Sequence, residues 1–492
     1  MTENSERYRK LVLLHSNDLH GDFLAKEEEG KVVGGISRLS GYAQKVRDEE
    51  PHVIYSISGD MLQGSLIDSE YRGLSTIEIM NMLGPDVASL GNHETDYGLT
   101  HLLFLERCAR FPIVNANIFI TNPRTRLFES HTFIERNGMN IIFIGIITEE
   151  VMSGIRSDKL ISSLIDVNEA AQEVGHICNA YRGIDVDLTV LLTHIGFEED
   201  KKLAAMLDPK WGVDIIIGGH SHTILERPEI VNDILIVQAG VGTKQIGRFD
   251  LVVDTDLNSV HEFVWQLVPV TESNCPRDEV MEKLISAYKS ETDLKFNKFL
   301  CRLPHKLTHP FRNQETELGN LFSDAIKECV GCDIVLCGSG SIRRSEMGPL
   351  VTLGDLTATV PYHEKFYLAT VTGKQLKAIW RHILREEAFT GDHTEFFQTS
   401  KDLEITWSRG KQEFLRFSYM EEPIEDDREL TVAFHGFHRN NFDTSFGIPY
   451  KEVLENGHDF LVAADVQDML VQYFSDEEPE ARGIDGRLTV VP

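Results

Sequence analysis

Carboxylate, imidazole and amide side chains recur through the first half of the chain in short motifs, most of them with glycine beside them. They read His15-Ser-Asn-Asp18-Leu-His20-Gly21, Ser58-Gly59-Asp60, Gly91-Asn92-His93-Glu94-Thr95-Asp96, Thr193-His194 and Gly218-Gly219-His220-Ser221-His222. These are oxygen and nitrogen ligands of the kind that hold divalent cations, with no thiolate among them. Singly each motif is weak, because a lone Asp-x-His or His-x-His is more often a satisfied polar pair than a ligand set.

Their placement is what singles them out. Each follows directly on a short apolar run: Leu11–Leu14, Val53–Ile57, Val87–Leu90, Leu188–Leu192 and Val213–Ile217. With Ile141–Ile147, these runs predict strands covered on both faces, and Leu74–Leu83 and Val167–Tyr181 predict helices between them, giving a layered α/β domain. Ligands of open α/β sheets bind at the carboxyl ends of the strands. Five strand ends therefore deliver Asp, His and Asn to one edge, where burial is costly unless something pairs with them. The residues alone point to a metal site.

The rest of the chain narrows the class. Its 492 residues carry 48 Lys and Arg against 78 Asp and Glu, a formal charge of −30. That argues against a partner such as a nucleic-acid polymer or an anionic membrane, since clustered cations hold phosphate backbones. No apolar run approaches the ~18–20 residues of a membrane span. Residues 1–10 are polar, so no secretory leader is expected, and seven scattered cysteines fit reduced thiols and a cytoplasmic location. Cys329-x-x-Cys332 lacks a second half and reads as buried thiols at a helix–strand junction. The expected organisation is a catalytic domain over 1–270, a linker (271–302) helical over Asp278–Lys298, and a second α/β or α+β domain over 303–492. That second domain has strands at Asp333–Cys337, Phe366–Val371 and Leu430–Phe434.

The order Asp-x-His, Gly-Asp, Gly-Asn-His-Glu-x-Asp, His, Gly-His-x-His resembles that of the calcineurin-like dinuclear metallophosphoesterases. More closely, the chain resembles the 5′-nucleotidase/UDP-sugar hydrolase/2′,3′-cyclic phosphodiesterase branch. Asn81-Met-Leu-Gly-Pro-Asp86, Phe111-Pro-Ile-Val-Asn-Ala-Asn117 and Gln238-Ala-Gly-Val-Gly242 carry that likeness in the first half. Glu317-Leu-Gly-Asn-Leu321, Gly338-Ser-Gly-Ser-Ile-Arg343, Leu353-Gly-Asp355 and Pro361-Tyr362 carry it in the second.

The resemblance implies an αββα catalytic domain holding two divalent cations drawn from Mn, Zn, Fe or Co. Asp18, His20 and His222 would hold one, Asn92, His194 and His220 the other, and Asp60 would bridge them. The chemistry agrees: a bridging oxygen needs a carboxylate, while Asn and neutral imidazole add ligands without charge. Two anionic ligands leave a local charge of about +2, which reconciles phosphate chemistry with an acidic chain. The implied reaction is metal-assisted hydrolysis by in-line displacement. His93 is the expected transition-state stabiliser or general acid and Asp96 its orienter, the alternative for Asp96 being a turn cap. Glu94 is expected to serve structure.

By the same resemblance the second domain holds the rest of the substrate. Tyr362 and Phe437 would sandwich a base, Asp443 would face base or ribose, and Arg312 and Arg343 would grip anionic groups. Core packing is the competing reading of the two rings. The pattern departs where Gly338 replaces the usual Asn, where Asn441-Phe-Asp-Thr444 replaces Gly-Gly-Asp-Gly, and where His435-Gly-Phe-His438 brings two extra imidazoles. The implied substrate is a small phosphate ester, a nucleotide first. Alternatives are a dinucleotide, nucleotide-sugar, 2′,3′-cyclic nucleotide or non-nucleotide phosphate, or else a non-catalytic binding protein.

Overall fold

Successive residues of Leu11–Leu14 point to opposite faces of a strand, yet all four are buried, so this run requires cover on both sides. The computed structural model shows what supplies it. The model describes residues 7–28, 30–120, 125–147, 161–164, 166–390, 395–476, 479 and 483–492. The chain divides into two units, residues 1–292 and 293–492.

The first unit opens with β1 (Tyr8–Asn17), α1 (Ile36–Glu49), β2 (Val53–Ser58), α2 (Leu74–Leu83), β3 (Val87–Ser89) and β4 (Ile113–Val114). It continues through β5 (His131–Arg136), β6 (Met139–Ile147), α3 (Val167–Ala180), β7 (Leu188–His194), α4 (Phe197–Met206) and β8 (Ile215–Ile217). The strands β9 (Glu229–Val231), β10 (Ile234–Val237), β11 (Gln245–Asp254) and β12 (Ser259–Pro269) complete it. One six-stranded sheet has the order β12-β11-β1-β2-β3-β4, and a second has the order β9-β10-β8-β7-β6-β5. The central strands of each run parallel, and antiparallel strands border them.

Residue parity decides the layers. Leu11, Leu13 and Ile54 meet Ile141, Phe143, Val190 and Leu192 between the sheets. Leu14, Tyr55 and Ile57 face the other way, onto Leu39 and Tyr42 of α1 and Met80 of α2. Ile142, Ile144 and Ile146 likewise meet Ala170, Val174 and Ile177 of α3 and Leu203 of α4. The result is a four-layer αββα stack: the apolar runs predict a layered α/β domain, and the resemblance implies its αββα order. The strands β5, β11 and β12 have no counterpart in those runs, because their outer faces carry polar residues.

The Phe111–Asn117 motif stitches the sheets together. Ala116 N–H donates to the Gly145 carbonyl at 2.8 Å, and Ile147 N–H donates to Asn117 Oδ1 at 3.0 Å. A Cβ on Gly145 would stand 2.0 Å from the Val114 carbonyl oxygen, so glycine is what permits this approach.

Helix α5 (Glu279–Phe296) lies where the linker helix is expected. In the second unit, α6 (Glu317–Val330), β13 (Ile334–Gly338), β14 (Phe366–Thr372), α7 (Gly373–Ile383) and β15 (Phe397–Thr399) precede β16 (Glu429–His435), β17 (Phe460–Ala463) and α8 (Val466–Asp476). Five strands form a sheet in the order β15-β13-β16-β14-β17. Leu376, Ile379 and Trp380 of α7 cover one face, and Leu321 and Phe322 of α6 with Leu470 and Phe474 of α8 cover the other. All seven cysteines are free thiols; Cys332 is buried, but Cys329 is exposed on the last turn of α6, correcting the expectation that both are buried. No helix among the described residues is long and apolar enough to cross a membrane.

Gly145→Ala is expected to destabilise the protein by about 1–3 kcal/mol through overpacking. Gly183→Ala, whose Cβ would meet nothing within 4 Å, is expected to be neutral. Thermal denaturation of the two variants against the parent checks this.

Candidate metal centre

Three parallel strands of one sheet and two of the other end where the residue types singled out above gather, in the loops that follow. Asp18 and His20 follow β1, Asp60 follows β2, Asn92 and His93 follow β3, His194 ends β7, and His220 and His222 follow β8. The loops are bent sharply. Asp18, His20, Asp60, His220 and His222 all adopt positive φ, between 49° and 76°. Each such non-glycine residue costs about 1–2 kcal/mol, and such strain persists where surrounding contacts over-determine it, as at ligand clamps. Glycine is needed where backbones approach the site. A Cβ on Gly91 would lie 2.2 Å from Asp60 Oδ1, and one on Gly219 would lie 2.7 Å from both His194 Nδ1 and the Ser58 carbonyl oxygen.

The donor atoms converge. His222 Nε2 lies 3.2 Å from His20 Nε2 and 3.4 Å from Asp18 Oδ1. Asn92 Oδ1 lies 3.2 Å from both His194 Nε2 and His220 Nδ1. Asp60 Oδ2 faces both groups, 3.1 Å from His194 Nε2 and 3.7 Å from His20 Nε2. Among the described residues, three triads bring their candidate ligand atoms within 4.8 Å of one another: Asp18–His20–His222, Asp18–Asp60–His194 and His20–Asp60–His93. Asp18, Asp60 and His194 are buried, whereas His220 and His222 sit at the exposed rim.

Contacts behind the ligands set their orientation. His20 Nδ1 is 3.0 Å from the Gln63 carbonyl and His194 Nδ1 is 3.0 Å from the Ser58 carbonyl. Each contact directs the ring's other nitrogen, Nε2, toward the carboxylates, the arrangement common to metal-binding imidazoles. Asn17 donates to Asp18 Oδ2 at 2.7 Å while its Oδ1 accepts from Ala239 N–H, so the Gln238–Gly242 motif holds the Asp18 loop. Glu94 accepts from the backbone N–H groups of Asp60, Met61, Leu62 and Gly91 at 2.6–3.2 Å, which makes it the brace expected.

Electrostatics show what the cradle demands. Burial opposes ionisation of Asp60, yet the adjoining His194 outweighs it and holds Asp60 well below the ordinary carboxylate range. Burial also opposes charge on His194, but Asp60 and Asp18 raise it to about 10. Burial and the Asp60 charge together push Glu94 up to about 7. The carboxylates thus draw positive charge to the spot, a demand that divalent cations meet through these same oxygen and nitrogen donors.

His93 stands beside this cradle on a single 3₁₀ turn, its ring centroid 5.2 Å from that of His20. Its Nδ1 lies 2.7 Å from Asp96 Oδ2, and its backbone N–H donates to Asp60 Oδ1 at 2.9 Å. Burial lowers its affinity for a proton, but the Asp96 hydrogen bond and charge outweigh burial and raise it to about 9. Asp96 therefore binds the imidazole directly.

One group escaped the sequence reading. Asp68, fully buried, accepts from Gln63 N–H and Tyr97 O–H at 3.0 Å and from the Thr76 hydroxyl. It ties the loop that orients His20 to the segment following Asp96. Nothing local marks it, since its partners lie on separate loops.

In the second unit, Tyr362 and Phe437 are half-buried and belong to none of its apolar cores among the described residues. Arg312 and Arg343 are exposed, and the Arg312 guanidinium lies against the Gly338–Arg343 segment, 3.7 Å from where a Cβ on Gly340 would stand. Asp443 is exposed and accepts from Tyr450 N–H at 2.8 Å, so one of its oxygens is committed to the backbone. His438 fills the room that Gly338 leaves, its Nε2 2.6 Å from where a Cβ there would be.

Comparison with known proteins agrees with this architecture. Residues 11–223 match the calcineurin-like phosphoesterase family model, and residues 302–447 match that of the 5′-nucleotidase C-terminal domain. A 5′-nucleotidase of Mus musculus is 26% identical over 494 residues, covering 88% of this chain and 83% of the mouse protein. The trifunctional nucleotide phosphoesterase protein YfkN of Bacillus subtilis is 28% identical over 417 residues, covering 75% of this chain; the match spans 27% of that longer protein. A 5′-nucleotidase precursor structure from Thermus thermophilus superposes with a TM-score of 0.77 over 98% of this chain and 99% of that one, at 24% identity, and so shares its fold.

Gly91→Ala is expected to displace Asp60 and lower metal affinity at least 10-fold. Metal analysis of the purified variant after equilibration at a fixed free cation concentration, alongside its circular dichroism, checks this.

Proposed function

The chain belongs to the calcineurin-like phosphoesterases that carry a 5′-nucleotidase C-terminal domain, and from that premise we propose that it hydrolyses phosphate esters of nucleotides at a centre of two divalent cations. Asp18, His20 and His222 would hold one cation in this reading, Asn92, His194 and His220 the other, and Asp60 would serve both. The observation that carries it is the position of Asp60 Oδ2, which faces His194 Nε2 at 3.1 Å and His20 Nε2 at 3.7 Å. Cations bound there lower the pKa of water, polarise phosphoryl oxygens and screen the phosphate charge.

The chain's own groups do the rest. With Nδ1 tied to Asp96, His93 offers Nε2 to a phosphoryl or leaving-group oxygen, stabilising charge or donating a proton as the ester bond breaks. Glu94 keeps Asp60 in place through its four backbone contacts. Tyr362 and Phe437 hold the base by their faces, a role supported by their standing outside the cores, and Arg312 and Arg343 attract anionic groups. The charge of −30 supports a small substrate over a nucleic-acid polymer, and seven free thiols support a reducing compartment such as the cytoplasm.

Chelator is expected to abolish hydrolysis of AMP and of an aryl phosphate, and added Mn²⁺ or Zn²⁺ to restore it; no turnover with any added metal overturns the reading. His93→Ala is expected to lower kcat about 10²–10⁴-fold with metal content retained, the usual worth of a positioned acid or base. Steady-state rates with parallel metal analysis check this. Tyr362→Ala and Phe437→Ala are expected to raise KM for nucleotides far more than for the aryl ester, and an equal effect on both substrates would instead favour core packing.

A further inference from the structure

The turn that carries His220 and His222 is gripped by one buried amide. Gln238 directly follows β10, and its side chain is fully buried. Its Oε1 accepts from Thr223 N–H at 3.2 Å and from the Ser221 hydroxyl at 3.0 Å. Its Nε2 donates to the Gly219 carbonyl at 3.3 Å and to Asp200 Oδ2 at 3.0 Å. A backbone N–H only donates and a carbonyl only accepts, so these partners fix which end of the amide faces which. The amide thus holds residues 219, 221 and 223, and the imidazoles at 220 and 222 alternate with them.

That alternation matters for geometry. His220 and His222 have φ of 76° and 53°, a strained backbone that surrounding contacts must hold. The same turn sends their rings to different neighbours. His220 Nδ1 faces Asn92 Oδ1 at 3.2 Å, whereas His222 Nε2 faces His20 Nε2 at 3.2 Å.

Asp200, in the first turn of α4 and fully buried, ties this grip to β7. Its Oδ1 accepts from the Thr193 hydroxyl at 2.6 Å, and Thr193 immediately precedes His194. A Cβ on Gly218 would stand 2.1 Å from Asp200 Oδ2, so glycine lets the carboxyl group lie against the turn. Burial pushes Asp200 up to about 7, and its bonds to Thr193 and Gln238 oppose that by favouring the carboxylate. One chain of hydrogen bonds therefore runs from the residue before His194 to the residues flanking His220 and His222.

We propose that Gln238, anchored by Asp200, is a positioning residue that sets the divalent-cation affinity of the centre by holding His220 and His222 in register with His194. The inference rests on the metal-centre reading of these imidazoles. Both groups are buried and act only through the residues that face the cations. Partners of this kind behind a ligand set are worth about 10–100-fold in metal affinity.

The test is Mn²⁺ binding to the metal-free full chain, measured by titration calorimetry at about pH 8, above the value for Asp200. Gln238→Glu keeps an acceptor for Ser221 and Thr223 but sets its second oxygen against Asp200 and the Gly219 carbonyl. It is expected to weaken binding about 10–100-fold. Adding Asp200→Asn offers that oxygen an amide N–H, while the Asn oxygen still accepts from Thr193, and is expected to restore most of the loss. Ser221→Ala, at an exposed position, removes one strut and is expected to weaken binding about 2–10-fold, the worth of one hydrogen bond. A role confined to the fold lowers the Tm of the metal-free protein and leaves Mn²⁺ affinity at the parent value. Parent-like affinity in a folded Gln238→Glu, or a double variant that binds no tighter than Gln238→Glu, overturns the inference. Where Gln238→Glu fails to fold, parent-like affinity in Ser221→Ala overturns it. A parent chain that binds neither Mn²⁺ nor Zn²⁺ overturns the metal-centre reading instead.

Discussion

Two buried carboxylates, Asp18 and Asp60, face the same group of imidazoles. Anions in such a place are strongly unfavourable unless cations or proton donors meet them. Much of the first unit is arranged around that demand. Backbone N–H groups of His220 and His93 donate to the two carboxylates, and His194 lies against both. The five positive-φ residues and the glycines at 91 and 219 are consequences of it, because only sharply bent loops bring so many polar groups to one spot.

Such loops hold their shape only on a stiff base. The strands beneath them are buried on both faces, and each fully buried aliphatic or aromatic side chain contributes about 1.5–3 kcal/mol. The sheets are stitched through Gly145 and Asn117, and the loops are braced by Asn17, Glu94 and Asp68. Apolar packing thus supplies the stability against which the strained residues are held. The braces then convert a rough meeting of loops into donor atoms 3–4 Å apart.

The second unit follows the same logic with other chemistry. A doubly covered sheet supports two rings that stay outside its cores, and His435, two residues before one ring, approaches Glu364, two residues after the other, at 3.2 Å. Polar groups in both units are thus placed by long-range partners on rigid strands, a means of positioning that loops alone do not supply.

Strand burial, helix placement and ligand type were legible from local patterns. Leu11–Leu14 followed by Asp18-x-His20 states both a strand covered on two faces and a candidate ligand pair at its end. The order of such units identified the chemistry, because each depends only on residues within a few positions. The border strands Gln245–Asp254 and Ser259–Pro269 were not legible: a half-exposed face breaks the apolar run of the first, and no residue of the second is fully buried. Nor was the left-handed backbone at Asp18, His20, Asp60, His220 and His222, which neighbouring loops impose. Asp68 and Tyr97, or Glu364 and His435, carry no mark in the sequence of belonging together. Local composition and period determined what each segment would become; which loops met was decided by the packing of the sheets, which no single segment encodes.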